Sequence, residues 1–468
     1  MRKRLGMRVV EKGLISLNDL RRARERQRMF GGRIGSNLVA LDLLSEEDLA
    51  TFFRFFPKEP SNVKETKIDI SFISDLILKH ALFLKSFDIQ DLTEKLKLNQ
   101  SVIIECLDSL RQDRMIEITK GDTSLMRRNY QYRITDSGIN RALNLMEESR
   151  YVGPVPVSLG DYRYATEIQT IRSVELKQET VKKVFSDVVV SESKLRSLGA
   201  AINAGKPIFL YGPPGNGKTT IAEAVGKSLP GDIFVPYSVL VGSQVIIVYD
   251  QVNHRAVDYE LNSKDYDRRW IKVKRPFVIS GGELTLKSLD LEFNPDSKYY
   301  EAPLQMKANN GLFIIDDFGR QLADPQTLLN RWIVPLDREV DFLTLHTGMK
   351  FEIPFDQLVI FATNISPRKL ADEAFLRRLR YKLKIDYPNV KEYEHIFRKI
   401  CYFNGLKFDH ECFDYLMAKY DDTNIKLTGC HPRDIIDQII DDAHYVGKPA
   451  IINKKVIDQV WEDYFIDG

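Results

Sequence analysis

The chain has 468 residues, 43% hydrophobic and 29% charged, with 68 Lys and Arg against 66 Asp and Glu and a formal net charge of +2. That composition suits an ordinary folded protein of roughly three domains and excludes a disordered, collagenous or disulfide-built chain. No run reaches the eighteen or so apolar residues of a membrane span, and the basic start MRKRLGMRVVEKGL lacks the apolar core of a signal peptide, so a cytoplasmic protein with no membrane span is expected. In chain order, residues 1–35 come first and concentrate eleven Lys and Arg against three acids. Such a segment fits either an anionic partner or a solvated basic helix face.

Residues 1–57 hold an internal repeat. Arg4-Leu5-Gly6, Val9-Val10, Gly13-Leu14-Ile15 and Leu20 are echoed by Arg33-Ile34-Gly35, Leu38-Val39, Asp42-Leu43-Leu44 and Leu49. Each copy predicts a short helix, a turn, and a second helix opened by Ser16 or Ser45. The spacing resembles the N-terminal domain of type II secretion and type IV pilus ATPases, which implies cyclic-di-GMP as a ligand near Arg4 and Arg33. The second copy departs from that pattern at Asp42, where glycine is expected, and at Phe56, where the first copy has Gln27. A helical docking module without the dinucleotide is the favoured reading.

Residues 57–62 (PKEPSN) predict a linker. Over 65–150 the pattern is that of a winged helix: helices at 73–84, 89–96 and 101–111, strands at 115–119 and 130–134, and a last helix at 139–147. The wing would be the polar stretch 121–129, with Lys120, Arg127 and Arg128. DNA is a natural partner for such a fold. However, the third helix carries Glu105 and Asp108 against Arg111, a poor match to a phosphate backbone, so a protein-docking role is favoured.

Residues 151–184 predict an extended, proline-marked linker. Beyond it the chain alternates strand and helix patterns, as a parallel α/β sheet does. An apolar strand at 207–211 (PIFLY) runs into Gly212-Pro213-Pro214-Gly215-Asn216-Gly217-Lys218-Thr219-Thr220 and a helix at 219–229. Strand, glycine loop and helix in that order predict a phosphate-binding P-loop whose backbone N–H groups cradle a polyphosphate. Lys218 is placed for the β- and γ-phosphates and the Thr219 hydroxyl for Mg2+, so ATP and Mg2+ are the expected cofactors. A second apolar strand, 311–315, ends in Asp316 and Asp317, and a third, 358–363, ends at Asn364. At the carboxyl ends of parallel strands, Asp316 would meet the Mg2+ shell, while Asp317 and Asn364 would orient the attacking water.

With these motifs, the run Asp372-Glu373-Ala374-Phe375-Leu376-Arg377-Arg378, Pro388 and Gly429-Cys430-His431-Pro432-Arg433 resemble the AAA+ ATPases over about 185–468, in particular the subfamily of spastin and Vps-type remodelling ATPases. The resemblance implies a core at 185–390 and a helical lid at 391–468. It also implies that Arg377 and Arg378 reach a neighbouring subunit's ATP, that Arg433 contacts the γ-phosphate in its own subunit, and that the protein forms a homo-oligomer, most simply a hexamer. Asp317 stands where that family has glutamate. Lys218 and Asp316 lie 98 residues apart, and the surplus at 239–298, with 245–249 and 275–289 as added strands or hairpins, resembles the inserts of the MoxR and magnesium-chelatase group. The phrases IIDDFGRQ and LNRWIVPLDREVDFLTLHTG resemble bacterial chaperone-type ATPases.

The fold expected is therefore an α/β P-loop AAA+ domain with a helical lid, preceded by a small helical module and a winged helix. The leading function is a ring-forming ATPase that remodels or assembles a protein client. The rivals are an ATP-regulated DNA-binding regulator, a pilus or secretion ATPase, and a nucleotide switch responsive to cyclic-di-GMP. Cys106, Cys401, Cys412 and Cys430 have no CxxC spacing and read as reduced buried thiols.

Overall fold

A computed structural model describes residues 5–53, 55–120, 130–257, 266–370 and 373–465. Arg4, the wing residues Arg127 and Arg128, and Asp372 lie outside the described residues, as does the side chain of Lys120.

The N-terminal repeat folds as Leu5–Glu11, Leu17–Phe30 (α1), Ile34–Val39 and Glu46–Phe52. Ser16 and Ser45 cap their helices, accepting from the amides of Asp19 and Asp48. The repeated glycines serve helix packing. A methyl group on Gly6 would lie 2.3 Å from Leu20 Cδ1, and one on Gly35 would lie 3.1 Å from Leu49 Cδ2. The break at Asp42 also has a backbone reason. Gly13 and Asp42 occupy equivalent turns at φ 72° and 53°, and aspartate is among the few side chains that tolerate that left-handed region.

The next unit packs Ile70–Leu84, Ile89–Leu96, Gln100–Gln112 (α2) and Asp136–Glu148 around one apolar core, with an antiparallel sheet in the order Ser86–Phe87, Gln131–Ile134, Ile116–Lys120. The expected linker at 57–62 is packed rather than loose. Ser101 Oγ donates to the Ser61 carbonyl at 2.6 Å, the Val63 amide donates to Glu105 at 3.1 Å, and the Asp267 amide donates to the Pro57 carbonyl at 2.9 Å. The chain's own linker thus lies against α2, the helix that a DNA-reading winged helix would present.

The stretch 151–184, expected to be extended, also carries regular structure. It contains a short strand at Val157–Ser158 and helices at Leu159–Ile168 and Gln178–Val184. Buried Asp356 pins it, accepting from Thr170 Oγ1 at 2.7 Å and the Ile171 amide at 2.9 Å. The prolines are confined to 154 and 156, ahead of those helices, and mark the entry to the segment rather than its character.

The central sheet has five parallel strands: Ile208–Tyr211 (β1), Phe277–Ser280 (β2), Leu312–Ile315 (β3), Leu358–Thr363 (β4) and Tyr381–Lys384 (β5). They run in the order β2–β3–β4–β1–β5. β1, β3 and β4 are buried on both faces, which is why they read as unbroken apolar runs. β2 was expected among the added strands or hairpins and belongs instead to this sheet. It lies at the edge, with Val278 and Ser280 buried and Phe277 and Ile279 exposed, an alternation that resembles a half-buried hairpin.

The surplus residues join segments before and after them in further strands outside the central sheet. A five-stranded sheet runs Glu292–Asn294, Tyr299–Glu301, Gln244–Ile247, Ser238–Val241, Val157–Ser158, and two flanking ladders pair Asp232–Pro236 with Trp270–Lys274 and Val340–Thr344 with Lys350–Pro354. Phe55 packs against Trp270, ring centroids 5.2 Å apart. The C-terminal unit is four helices, Val390–Phe403 (α4, with α3 reserved for the loop helix Lys218–Ser228), His410–Thr423, His431–Val446 (α5) and Lys454–Tyr464, with a core of its own. Among the described residues, no helix is long and apolar enough to cross a membrane.

Candidate nucleotide-binding site

The carboxyl ends of β1, β3 and β4 converge on one cleft of about 730 Å3, closed on its far side by α4 and the start of α5. β1 delivers the chain into the glycine loop. A side chain at Gly212 is impossible, because a methyl group there would sit 1.9 Å from the Ile385 carbonyl oxygen, at a φ of 146°. Gly215 is as tightly placed against the C-terminal four-helix unit, since a methyl group there would lie 2.7 Å from Cys430 Sγ. Gly217 then sets the N-terminus of α3, so the helix opens at Lys218 with its amides toward the cleft.

Lys218 is 7% exposed, and its Nζ donates to the carbonyls of Gly212 at 3.0 Å and Pro213 at 2.8 Å. Burial pulls its pKa below the usual lysine range, while Asp317 and Asp316 pull the other way. Thr219 Oγ1 donates to Asp316 Oδ2 at 2.7 Å, and the other Asp316 oxygen accepts from the Asp317 amide at 2.9 Å. Asn364 Nδ2 donates to Asp317 Oδ1 at 3.2 Å. The polar side chains expected from three separate strand ends are therefore within one hydrogen-bonded set.

Asp317 has a backbone feature that the sequence does not announce. Its φ is 47°, in the left-handed region, so the chain reverses immediately after β3. Gln321 holds the reversal. Its amide nitrogen lies 3.0 and 3.2 Å from the carbonyls of Asp316 and Asp317, and its oxygen accepts from the Gly319 amide at 2.7 Å. Neither Gln321 nor Arg320, which lines the cleft, was singled out from the sequence. Both fall within the phrase IIDDFGRQ, whose resemblance marked the run without giving either residue a role.

Asn216, Gly217, Thr219, Thr220, Asp316, Asp317, Asn364 and Arg433 all line the cleft, as do Pro214 and Gly215. Asn216 joins the loop to the segment before α5, its Oδ1 accepting from the Gly429 amide at 2.9 Å. Arg433 sits in the first turn of α5, mostly exposed and 3.9 Å from Asp434. Val188, Val189, Ile396, Ile400 and Phe403 form an apolar end to the same cleft. They escaped sequence reasoning because they come from two distant segments and look like ordinary helix or linker hydrophobics.

Arg377 and Arg378 stand apart from these residues. Both lie in the helix Glu373–Arg378, and neither lines the cleft. Arg378 Nε donates to Asp337 at 2.7 Å, whereas the Arg377 side chain is 81% exposed, with a Glu373 carboxylate oxygen 3.8 Å away. Arg33, expected near a dinucleotide, turns onto the core instead. Its Nε donates to the Asn203 carbonyl at 2.6 Å, and burial brings its pKa down to about 10.

A glycine loop between a buried strand and a helix, with lysine, threonine and aspartate gathered at the carboxyl ends of parallel strands, is the arrangement of a P-loop phosphate site. A family model described as a domain of unknown function (DUF8689) matches residues 389–463, the four-helix unit that closes the cleft. No curated protein matches the chain. Among solved structures it is similar to a mutant of Thermotoga maritima RuvB, at 16% identity over 64% of this chain and 74% of that one, with a TM-score of 0.35. It is also similar to NtrX from Brucella abortus in complex with ADP, at 12% identity over 69% of this chain and 65% of that one, TM-score 0.35. With identities and TM-scores this low, these likenesses carry no argument about this chain.

Proposed function

We propose that the protein is an ATP-hydrolysing AAA+ ATPase that works as a ring and remodels or assembles a protein client. The observation that carries the proposal is the hydrogen-bonded set Thr219–Asp316 and Asp317–Asn364 beside Lys218, in a cleft wide enough for a nucleoside triphosphate. A hydroxyl and a carboxylate 2.7 Å apart are hard oxygen donors and suit Mg2+, which takes few protein ligands and completes its shell with water and phosphate. Thr219 and Asp316 would hold the ion, which supplies charge neutralisation at the phosphates when bound. Lys218 would leave the loop carbonyls for phosphate oxygens, and the loop amides would cradle the chain of phosphates. Asp317, steadied by Asn364, would accept a proton from the attacking water. Val188, Val189, Ile396 and Phe403 would take the flat apolar base.

The ring reading is supported by an arginine that lies outside the cleft of its own chain. Arg320 and Arg433 line the cleft, whereas Arg377 lies outside it with its side chain 81% exposed. An arginine so placed would be able to reach a site on a neighbouring copy, where a fixed guanidinium fork would stabilise charge developing on the phosphates. Residues 1–150 would recruit the client. A regulator that reads DNA through α2 is the weaker reading, because residues 61–63 lie against that helix.

Lys218→Ala is expected to weaken ATP binding at least about tenfold, whereas Asp317→Asn keeps the affinity and loses most turnover. Binding by a fluorescent ATP analogue together with phosphate release distinguishes the two. Wild-type affinity in Lys218→Ala would remove the P-loop assignment.

A further inference from the structure

The turn after β3 brings one more cation to the nucleotide cleft. Arg320 lines the cleft and is exposed. The other lining cations already have partners. Lys218 donates to two loop carbonyls, Lys399 Nζ donates to the Ser186 carbonyl at 2.6 Å, and Arg433 lies 3.9 Å from Asp434. The Arg320 guanidinium has no hydrogen bond or ion pair with any described residue. Two acids, Asp316 and Asp317, stand four and three residues before it, yet neither pairs with it. Both take neutral donors instead, Asp316 from the Thr219 hydroxyl at 2.7 Å and Asp317 from the Asn364 amide at 3.2 Å. Cation and acids are therefore held apart on one turn.

The backbone that carries Arg320 is fixed from several sides. The Phe318 amide donates to the Ala362 carbonyl at 2.8 Å, Thr363 Oγ1 donates to the Phe318 carbonyl at 2.5 Å, and Phe318 is buried. Gly319 follows at φ 100°, where a methyl group would lie 2.7 Å from Leu370 Cδ2 and 2.9 Å from Ile365 Cδ1. The Arg320 amide then donates to the Asp317 carbonyl at 3.0 Å, and Gln321 closes the turn. A rigid base keeps the guanidinium at the wall of the cleft that carries Asp317.

We propose that Arg320 is a γ-phosphate ligand in the cleft of its own chain, an inference that rests on the ATPase reading. The glycine loop and α3 supply amides to the chain of phosphates, whereas Asp317 stands where water would attack the terminal phosphorus. A group three residues along the same turn lies at that terminal phosphate, and a guanidinium fork can span two of its oxygens. Charge argues the same way. The triphosphate is anionic even with Mg2+ bound, and Asp316 and Asp317 add carboxylates beside it. A cation that those acids leave unpaired can meet the phosphate without first breaking an ion pair. ADP has no γ-oxygens, so the contact would also tell the cleft which nucleotide it holds.

Calorimetric affinities of the full chain for Mg2+-bound ADP and for the β,γ-imido analogue of ATP, taken with phosphate release from ATP, test this. Arg320→Ala should lose about tenfold or more in affinity for the imido analogue, the scale of one charge-assisted contact, while its ADP affinity stays within about twofold. Unchanged ADP binding also shows that the cleft is intact. ATP turnover should fall at least about tenfold. Arg320→Lys, which keeps the charge without the fork, should regain part of the analogue affinity. Arg320→Ala mixed with Asp317→Asn should recover no activity, because the two residues serve the same cleft. The assignment is overturned if Arg320→Ala binds the analogue like wild type, if it loses ADP and analogue equally, or if those mixtures regain activity. A wild type that binds neither nucleotide would remove the ATPase reading, and Arg320 with it. A wild type that turns over ATP beside an equally active Arg320→Ala removes the arginine alone.

Discussion

Asp317 is where a single methylene has a structural reason. A side chain at φ 47° is strained for most residues, by about 1–2 kcal/mol in the left-handed region, and aspartate and asparagine bear it best. The reversal also turns the carboxylate toward Asn364, with 3.2 Å between them. A longer acid on this backbone overshoots the amide. Asp317→Glu is therefore expected to lower turnover about tenfold or more while leaving ATP affinity within a few-fold, even though it restores the residue that the AAA+ pattern has at this position. Steady-state kinetics with a parallel ATP titration checks it, and a glutamate variant faster than wild type would refute the fitted-acid reading. Gln321 belongs to the same device, and its loss should also lower turnover without moving affinity.

At the scale of elements, the pieces that bury both faces were the most legible. β1, β3 and β4, the glycine loop and the helix α3 stand where their residue patterns put them, because a buried parallel strand can only be a short unbroken apolar run. Elements whose character depends on a neighbour were not legible. β2 alternates in burial because it is an edge strand, and residues 57–62 and 151–184 gain their order from partners far along the chain, such as Asp267 and Asp356. The apolar end of the cleft had no sequence cue for the same reason. Close approach between elements is visible at Gly138, in the first turn of the helix Asp136–Glu148. A methyl group there would lie 2.1 Å from the Met115 carbonyl oxygen, which also accepts from Thr135 Oγ1 at 3.0 Å. Gly138→Ala should force the helix off the strand and destabilise the unit by about 1–3 kcal/mol, read as a lower midpoint in urea. Gly13→Ala meets no such wall and should cost less, through its positive φ alone.

At the scale of the whole molecule, the separation of Arg377 from its own cleft sets the assembly test. A variant with both Arg377→Ala and Arg378→Ala should bind ATP normally and hydrolyse little. Mixed with Asp317→Asn protein, it should regain activity, since some interfaces then pair an intact acid with an intact arginine. Only neighbouring copies can supply both halves. Because Arg378 also bonds Asp337 within its own chain, Arg377→Ala alone should carry most of the catalytic loss, and Arg378→Ala alone should also lower thermal stability. Absence of recovery in mixtures that co-assemble by light scattering would leave a single-chain nucleotide switch.

The contact between Asn216 and the lid has a consequence for timing. The Asn216 side chain donates to the Pro214 carbonyl at 3.2 Å and accepts from Gly429 at 2.9 Å, so the curvature of the loop and the seating of α5 share one amide. Gly215 packs beneath Cys430 without room for a methyl group, so the loop has no space to swell against the seated four-helix unit. In the proposed ATPase, spent nucleotide would leave only when the four-helix unit lifts. The duration of each cycle would then be set where that unit joins the core, remote from the bond that is cleaved, and whatever holds it down, a neighbouring copy included, would be the clock of the proposed machine.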